Sequence, residues 1–447
     1  MDDGQSIKWG VYIHVPFCVS RCNYCDFNTY AGVERYAPAY FRALKREIEG
    51  FWNERHNTGV DASVERGADV DMGVDAYAGT CVGSCAGVGV REYADTVFFG
   101  GGTPSSVDAA FIADALGAIP RPPIVSCTSG GTFAAATAAD GAETYECTLE
   151  ANPGTLSADK LAIYAKAGVN RLSIGLQSTH ESHLRLLGRS HSYRDFLCNY
   201  RNAIDAGFRN INADLIFGLP GQTLAEWAET LDAVVSLGIR HLSCYSLSVE
   251  DNTPLYFEIN SGRLEMPDDE VDRVMYHHAV SFLKSAGIKQ YELSNFAEPG
   301  RECRHNLKYW TGQRYRGFGA GAHSYHDMTR YSNEPSITGY IDEIESARNA
   351  DRRARCPHRA AQPPPRTHEE ITPAEAEKEF IILRLRLTDG FADAYFAAAF
   401  GCGFLEKYAV EVASLTSEGL IAVDDEKRVK LTAKGMDFAN LVFMAFI

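Results

Sequence analysis

Cys18-Val-Ser-Arg-Cys22-Asn-Tyr-Cys25 places three thiols in one short segment, directly after a run of β-forming residues at 11–15. Thiolates at this spacing can converge from one tight loop onto one iron–sulfur cluster. Zinc sites usually have four protein ligands in paired C-x₂₋₄-C units, and no second pair accompanies this segment. Three cysteines leave one iron of a four-iron cubane without a protein ligand, so that iron can bind a small chelating molecule. The spacing predicts a [4Fe–4S] cluster, with a zinc site or unpaired thiols as the alternatives.

A second cysteine pair, Cys81-Val-Gly-Ser-Cys85, repeats the first spacing of the triad without its context. It lies in a stretch of low complexity, follows no predicted strand and has no third cysteine at CxxC spacing. We therefore expect no second cluster there. The chain has 12 cysteines in 447 residues, which does not suggest a disulfide scaffold, so closely spaced thiols indicate metal or redox chemistry.

Composition and charge exclude several classes of function. A chain of 447 residues with 45% hydrophobic and 23% charged residues has a soluble globular composition and room for roughly two or three domains. The net charge of −16 argues against broad binding to nucleic acid. No apolar run approaches the roughly 20 residues that a membrane span needs, and residues 1–17 lack the pattern of a secretory signal. We therefore expect a cytoplasmic protein without a membrane span.

Strand-like and helix-like segments alternate along the chain. The predicted strands are residues 11–15, 96–99, 145–150, 171–175, 210–216 and 241–247. Ser157 can cap a helix that stops at Gly168, and Thr223 with Glu226 forms a capping-box pair for a helix that ends before Gly238. Such alternation implies a parallel sheet with helical crossovers. The pattern fits either an open doubly wound sheet or a partial β/α barrel and does not separate the two.

Three segments interrupt this alternation. Residues 55–91 and 120–143 are rich in small and polar residues, and we predict that both are surface insertions. Residues 350–373 contain Pro363-Pro364-Pro365 and basic residues, which is typical of a linker. Beyond the linker, helical patterns at 374–387 and 402–418, a short strand at 429–432 and a last helix predict a small, mainly helical, winged-helix-like domain.

Two further motifs carry a family resemblance. Tyr12-Ile13-His14-Val15-Pro16-Phe17 leads into the cysteine triad, and Gly100-Gly101-Gly102-Thr103-Pro104-Ser105 follows the second predicted strand, where its glycines let backbone amides approach a ligand closely. With these motifs the chain resembles radical-SAM proteins of the oxygen-independent coproporphyrinogen oxidase family, from about residue 8 to the C-terminus outside the three interrupting segments. The resemblance implies an α/β fold, a partial (β/α)6 radical-SAM barrel, with a [4Fe–4S] cluster on Cys18, Cys22 and Cys25 and bound S-adenosyl-L-methionine.

On this basis the predicted regions are the barrel at 8–255, a connecting region at 256–349, the linker at 350–373 and the C-terminal helical domain at 374–447.

The resemblance also implies a set of cofactor-binding residues, most of which follow predicted strands, where parallel α/β folds place their ligands. Glu150 matches the acid that binds the nucleoside ribose, and Gln177, Arg189 and Asp214 match polar positions that line the family's cofactor pocket. Taken singly, each of these is as readily an ordinary capping or surface residue; their order along the chain favours the cofactor role. The residues implied to surround S-adenosyl-L-methionine are Tyr12, Tyr24, Gly101, Gly102, Thr103, Glu150, Gln177, Arg189 and Asp214.

Two features separate the branches of this family. Asp26-Phe27 follows Cys25, whereas the dehydrogenase branch commonly has a fourth cysteine two residues after the triad. Only 17 residues precede Cys18, so we expect the chain to lack the longer N-terminal segment of the dehydrogenases. The run His305-Asn-Leu-Lys-Tyr309-Trp310 matches the HNxxYW heme motif of the heme-chaperone branch.

The residue types of that run suit heme. A neutral imidazole such as that of His305 is a standard axial ligand of heme iron, and Tyr309 and Trp310 can stack on a porphyrin. The alternative is a His-Asn pair that caps a loop beside two core aromatic residues. His323 and Cys303 are further candidates for contact with heme or cofactor, with less support from the pattern.

These features predict a heme chaperone that binds heme at His305, holds a [4Fe–4S] cluster with S-adenosyl-L-methionine, and transfers heme to an acceptor protein that the sequence does not identify. The alternative function is that of an oxygen-independent coproporphyrinogen III dehydrogenase, in which the same cofactors drive oxidative decarboxylation of propionate side chains. We expect this activity to be absent. A third hypothesis, a radical-SAM enzyme acting on RNA, conflicts with the acidic charge balance.

Overall fold

The computed structural model describes residues 6–57, 92–122, 145–353 and 367–447. Most of the two predicted insertions lies outside these residues, and so does the cysteine pair Cys81 and Cys85. The central part of the predicted linker, residues 354–366, also lies outside them. None of the helices in the described residues is long and apolar enough to cross a membrane.

The strands of the described residues form one large sheet, a three-stranded sheet and a two-stranded pair. They are β1 Ile7–Val15, β2 Phe17–Cys18, β3 Tyr30–Ala31, β4 Glu92–Gly101, β5 Glu146–Ala151, β6 Arg171–Gln177, β7 Asn210–Phe217, β8 His241–Ser246, β9 Lys289–Gln290, β10 Asn295–Ala297, β11 Tyr315–Phe318, β12 His323–His326, β13 Thr329–Ser332, β14 Thr367–Glu370, β15 Phe391–Ala392, β16 Ile421–Val423 and β17 Arg428–Leu431. Every predicted barrel strand is present, as β1 and as β4 to β8.

The helices follow the strands in the expected alternation. They are α1 Ala37–Asn57, α2 Ala109–Gly117, α3 Ala158–Ala167, α4 Glu181–Leu186, α5 Tyr193–Asp205, α6 Leu224–Ser236, α7 Pro254–Asn260, α8 Asp269–Ser285, α9 Arg304–Trp310, α10 Ile337–Arg353, α11 Pro373–Leu385, α12 Asp393–Phe400, α13 Phe404–Lys407, α14 Ala409–Ser417, α15 Ala433–Asp437 and α16 Ala439–Met444, with 3-10 turns at Glu34–Tyr36 and Pro104–Ser106. Ser157 caps α3, which ends at a left-handed Gly168, and Thr223 with Glu226 forms the predicted capping box of α6.

The strand order identifies a partial barrel rather than a doubly wound sheet. Strands β1, β4, β5, β6, β7 and β8 lie side by side in chain order, and all are parallel. A doubly wound sheet reverses its order at a switch point, and this run of described strands has no reversal. Right-handed crossovers that all run in one direction place their helices on one face, which leaves the other face as the barrel interior. The predicted partial (β/α)6 radical-SAM barrel is confirmed.

Short strands extend the barrel sheet at both ends. Strand β11 pairs in parallel with β1 and continues into antiparallel β12, β13 and β14. At the other end β10 is antiparallel to both β8 and β9. Helix α9, which carries the HNxxYW sequence, lies in the connection between β10 and β11. The chain therefore crosses from one end of the sheet to the other through α9.

The two faces of the barrel strands differ in polarity. Val11, Ile13 and Val15 of β1 belong to the main hydrophobic core, as the period of two in a strand requires. The interior face instead carries buried polar side chains, namely Thr96, Thr148, Arg171, Ser173, Asn212, His241 and Ser243. A polar interior needs hydrogen-bond partners, because an unpaired buried polar group is destabilising.

The C-terminal region has its own hydrophobic core. Phe380, Phe396 and Phe404 pack there, beside the small sheet in which β17 lies between β15 and β16. The predicted C-terminal, mainly helical domain is confirmed. Helix α10 extends to Arg353 and β14 begins at Thr367, so both ends of the segment predicted as a linker contain regular structure. The domain limits at residues 255, 349 and 373 stay predictions.

Candidate functional site

The cysteine triad begins at Cys18, the last residue of β2, and continues in the loop before β3, just past the carboxyl end of β1. Cys18, Cys22 and Cys25 are free, partly exposed thiols. Cys18 Sγ lies 3.4 Å from the Thr103 hydroxyl, and Cys22 Sγ accepts a hydrogen bond from Arg189 Nη1 at 3.4 Å. Burial raises the pKa of Cys18, and the two neighbouring cysteines act in the same direction. The loop therefore gathers three thiols beside one guanidinium group.

The loop is compatible with a four-iron cluster. Within the described residues no three His, Cys, Asp or Glu side chains are grouped so that they could hold one metal ion. A four-iron cluster has a different requirement, because each cysteine binds a separate iron at a corner of the cubane. The positive charge of Arg189 also compensates the negative charge that thiolates bring to the site.

The glycine motif is packed against the cysteine loop. Gly102 N donates to the Val15 carbonyl at 3.0 Å, and Thr103 N donates to the Phe17 carbonyl at 2.8 Å. A Cβ on Gly102 would lie 2.7 Å from the Phe17 carbonyl oxygen, so a side chain cannot be accommodated. These amides hold the cysteine loop in place. That the glycine motif also contacts a ligand stays a prediction.

Arg189 connects the cysteine loop to the strand ends. Its Nη2 donates to Asn152 Oδ1 and to the Gly175 carbonyl, each at 2.6 Å. Its Nη1 lies 3.5 Å from the Tyr24 hydroxyl. Burial raises the pKa of Tyr24, which the charge of Arg189 opposes. Arg189 therefore sets the position of the loop relative to β6, and Asn152 is a site residue that the family pattern did not identify.

Two half-buried carboxylates lie close together inside the barrel. Glu150 accepts a hydrogen bond from Gly101 N at 3.1 Å, and Asp214 accepts from Ser173 Oγ at 3.0 Å and from Asn212 Nδ2 at 2.8 Å. Burial raises the pKa of Glu150 from its ordinary value of 4.5 to about 8, and the negative charge of Asp214 adds to this rise. Glu150 is consequently an acid whose proton equilibrium lies near neutral pH.

Tyr12 and Gln177 complete the predicted set. The Tyr12 hydroxyl lies 3.0 Å from His14 Nδ1, its ring stacks on Phe98 with centroids 6.3 Å apart, and burial raises its pKa. Gln177 has a left-handed backbone with φ of 68°, next to a register shift between Gly175 and Gln177. Its Oε1 is buried and has no hydrogen-bond partner among the described residues. Strain together with an unpaired acceptor is typical of a position kept for a ligand.

Glu150 and Asp214 border a polar cavity in the barrel interior. It is lined by Phe98, Glu150, Arg171, Ser173, Asn212, Asp214, Ser243, Tyr245, Asn295 and Asn306. Only Glu150 and Asp214 of this lining were predicted from the sequence. A polar residue at every second position of an otherwise apolar strand is the sequence pattern that could have identified the others. It applies to Arg171, Ser173, Asn212 and Ser243.

His305 lies apart from the cysteine loop, on α9. Its side chain is fully buried, with Nδ1 at 2.9 Å from the Thr96 hydroxyl and Nε2 at 2.8 Å from the Tyr309 hydroxyl. The ring stacks on Phe98 with centroids 5.4 Å apart. Burial lowers the pKa of His305 to about 3. Phe98 also stacks on Tyr12, one of the residues predicted to surround S-adenosyl-L-methionine. The Phe98 ring therefore contacts both His305 and Tyr12.

The first turn of α9 is fixed by a carboxylate from the barrel. Glu146, the first residue of β5, accepts hydrogen bonds from the backbone N of Arg304 at 3.1 Å and of His305 at 3.0 Å. It also accepts from Cys303 Sγ at 3.6 Å. Of the two further candidates for contact with heme or cofactor, Cys303 is buried and hydrogen-bonded to Glu146. His323 is exposed at the start of β12.

Family models match two parts of the chain. Residues 86–234 match the Radical SAM superfamily, and residues 371–438 match the HemN C-terminal domain. The first match contains Glu150, Gln177, Arg189 and Asp214 and begins after the cysteine triad. Together the two matches agree with a barrel followed by a separate helical domain.

Curated relatives cover nearly the whole chain. The heme chaperone HemW of Bacillus subtilis (strain 168) is 35% identical over 436 residues, which is 98% of each protein. The heme chaperone HemW of Escherichia coli (strain K12) is 36% identical over 313 residues, covering 70% of this chain and 69% of that protein. Among solved structures, the coproporphyrinogen III oxidase HemN of Escherichia coli, a radical SAM enzyme, aligns with a TM-score of 0.70. At 20% identity over 99% of this chain and 90% of that chain, it shows a shared fold.

Replacing Cys22 with serine should remove the cluster. Protein reconstituted anaerobically with iron and sulfide should bind about four of each per chain, and Cys22→Ser should lose nearly all of both because a second iron then lacks a protein ligand. Chemical iron and sulfide assays with the visible spectrum measure this. Cys198→Ser, an exposed cysteine on α5, and the pair Cys81→Ser with Cys85→Ser serve as controls and should keep full cluster content. A cluster that depended on Cys81 and Cys85 would refute the assignment.

Replacing Glu150 with glutamine should change the pH dependence of stability. In the folded protein Glu150 keeps its proton up to about pH 8, whereas in the unfolded chain it ionises above 4.5, so rising pH between these values favours unfolding. Wild-type protein should lose stability when the pH is raised from about 5 to about 8, and Glu150→Gln should not. The free energy of unfolding of Glu150→Gln relative to wild type should therefore rise by about 1–3 kcal/mol over this interval. Urea unfolding at the two pH values measures this. Glu258→Gln, an exposed carboxylate, should show no such gain, and an equal effect of both variants would contradict the prediction.

Proposed function

Because the chain belongs to the HemW family of heme chaperones, we propose that it binds heme and transfers it to an acceptor protein. The observation that carries this proposal is the similarity to curated HemW proteins over 98% of the chain, and the buried His305 on α9 adds to it. Its lowered pKa of about 3 keeps the imidazole neutral at physiological pH, which is the form that binds heme iron. Transfer from this chain to a protein acceptor is proposed to take place in the cytoplasm.

The Tyr309 hydroxyl lies 2.8 Å from Nε2 of His305, the nitrogen proposed to bind the heme iron. With the imidazole proton on Nδ1 and donated to Thr96, Nε2 accepts the Tyr309 hydroxyl proton at 2.8 Å. Breaking one neutral hydrogen bond costs about 0.5–1.5 kcal/mol, which an iron–imidazole bond readily offsets. Heme binding by His305 therefore requires that the Tyr309 side chain turns away. A reversible covering of this kind suits a protein that must later release its heme.

We propose that Cys18, Cys22 and Cys25 hold a [4Fe–4S] cluster and that the strand ends hold S-adenosyl-L-methionine. Partly exposed thiols beside the Arg189 guanidinium support the cluster, and the unpaired Oε1 of Gln177 offers an acceptor to the cofactor. When bound, the two cofactors supply one-electron chemistry. The residues proposed to contact S-adenosyl-L-methionine are Tyr12, Tyr24, Gly101, Gly102, Thr103, Glu150, Gln177, Arg189 and Asp214.

The neighbourhood of the cysteine loop favours the chaperone over the dehydrogenase. Phe27, at the position where dehydrogenases commonly have a fourth cysteine, is 68% exposed, and Val19 on the same loop is 65% exposed. Radical chemistry requires a closed, dry pocket around the reacting atoms. An exposed apolar rim is instead compatible with a large flat ligand that enters and leaves.

Heme binding should depend on His305 and improve when Tyr309 loses its hydroxyl. Titration of hemin into cluster-loaded protein, followed by the Soret band, should show at least about tenfold weaker binding for His305→Ala. Tyr309→Phe should bind about two- to tenfold more tightly, because Nε2 is no longer covered. His323→Ala removes an exposed histidine and should bind as wild type. Unchanged heme binding in His305→Ala with normal cluster content would transfer the ligand role to another residue.

The protein should not convert coproporphyrinogen III to protoporphyrinogen IX. The reason is the exposed surroundings of the cluster loop at Phe27, which leave the site open to water. The assay is anaerobic incubation of cluster-loaded protein with S-adenosyl-L-methionine, a reductant and substrate, followed by chromatographic separation of porphyrins. Vinyl product at repeated turnover would overturn the chaperone function and favour the dehydrogenase.

A further inference from the structure

A second cavity lies between α9 and the C-terminal domain. Tyr309 and Trp310 of α9 form one wall, and Phe380 and Leu383 of α11 form another. Tyr325 of β12 lines it from the barrel sheet. None of the residues proposed to hold the cluster or S-adenosyl-L-methionine lines this cavity. Walls of aromatic and aliphatic side chains suit a flat hydrophobic ligand.

Two arginines also line this cavity. Arg384 is 7% exposed, lies 4.4 Å from the centroid of the Phe380 ring, and donates to the Thr311 carbonyl at 3.0 Å. Arg330 pairs with Glu379 at 2.6 Å and with Glu369 at 3.8 Å, and Glu379 lines the cavity too. The lining therefore has two positive charges and one negative charge, in a chain with a net charge of −16. The cavity consequently favours an anionic ligand.

Both aromatic residues of α9 at this cavity have features that point to a ligand. The indole Nε1 of Trp310 is buried and lacks a hydrogen-bond partner among the described residues. Tyr309 lines the cavity with its ring and reaches His305 Nε2 with its hydroxyl, 2.8 Å away. Tyr309 therefore stands between the cavity and the imidazole.

We propose that this cavity holds the porphyrin of the bound heme, with Arg384 and Arg330 facing its carboxylate side chains and with the Tyr309 side chain turned away from His305 Nε2, so that the imidazole faces the ring. This placement rests on the heme-chaperone function proposed above and adds where the ring lies. A porphyrin combines wide apolar faces with two carboxylates at one edge, and guanidinium groups are suited to binding carboxylates. The placement also gives the C-terminal domain a role, because α11 supplies one wall of the site.

The test compares hemin with hemin dimethyl ester, which has the same ring and iron but no carboxylates. Both are titrated into full-length, cluster-loaded protein and followed by the Soret band. Arg384→Gln should weaken hemin binding about tenfold and leave binding of the dimethyl ester unchanged, since only the carboxylate contact is lost. Arg330→Gln should act in the same direction. Arg263→Gln removes an exposed arginine that pairs with Glu258 and should not change the affinity for either ligand.

Leu383→Trp provides a second test that does not depend on charge. A larger side chain in the cavity should weaken binding of hemin and of the dimethyl ester at least about tenfold each, with unchanged cluster content. The placement is overturned if Leu383→Trp binds both ligands as wild type, or if Arg384→Gln weakens both ligands equally. In either case, binding that still depends on His305 leaves the chaperone function intact. Failure of the wild-type protein to bind hemin would instead overturn the function itself.

Discussion

The buried carboxylate of Glu146 fixes α9 to the barrel, and the positions of both cavities depend on it. A helix begins with unpaired backbone N–H groups and a partial positive charge, and the carboxylate at β5 satisfies two of these groups directly. Lys308 adds a buried ion pair with Asp95 at 3.0 Å one turn later. Because α9 is held at this place, Asn306 faces the polar cavity in the barrel while Tyr309 and Trp310 face the cavity at the C-terminal domain.

The two cavities differ in the chemistry that they can hold. The barrel cavity contains Glu150, Asp214 and hydrogen-bonding amides, which suit a polar, charged cofactor such as S-adenosyl-L-methionine. The other cavity has aromatic walls and a net positive lining, which suit a porphyrin with carboxylate side chains. One chain can thus hold S-adenosyl-L-methionine in one cavity and heme in the other. Helix α9 borders both cavities, and its residues His305 and Tyr309 lie between them.

Local sequence patterns predicted the barrel strands and the capped helices. The alternation of buried residues in a strand and the capping of a helix each depend on residues that are close together in the sequence. The left-handed Gln177 was not predictable in this way, since β6 continues past the predicted end at residue 175 only through a register shift against β7. The state of His305 depends on contacts distant in sequence, such as Thr96, which is 209 residues away. The HNxxYW motif therefore predicted a heme site, while only the fold revealed that the Tyr309 hydroxyl contacts the imidazole.

The central claim is that heme and cluster occupy separate sites on the same chain. The most direct measurement is the stoichiometry of both groups in one sample, after anaerobic cluster reconstitution, loading with excess hemin and removal of free ligand. Heme is quantified as its pyridine complex, and non-heme iron and sulfide are quantified chemically. We expect about one heme together with about four non-heme irons and four sulfides per chain. Loss of cluster iron in proportion to the heme gained would show a shared site and contradict the account.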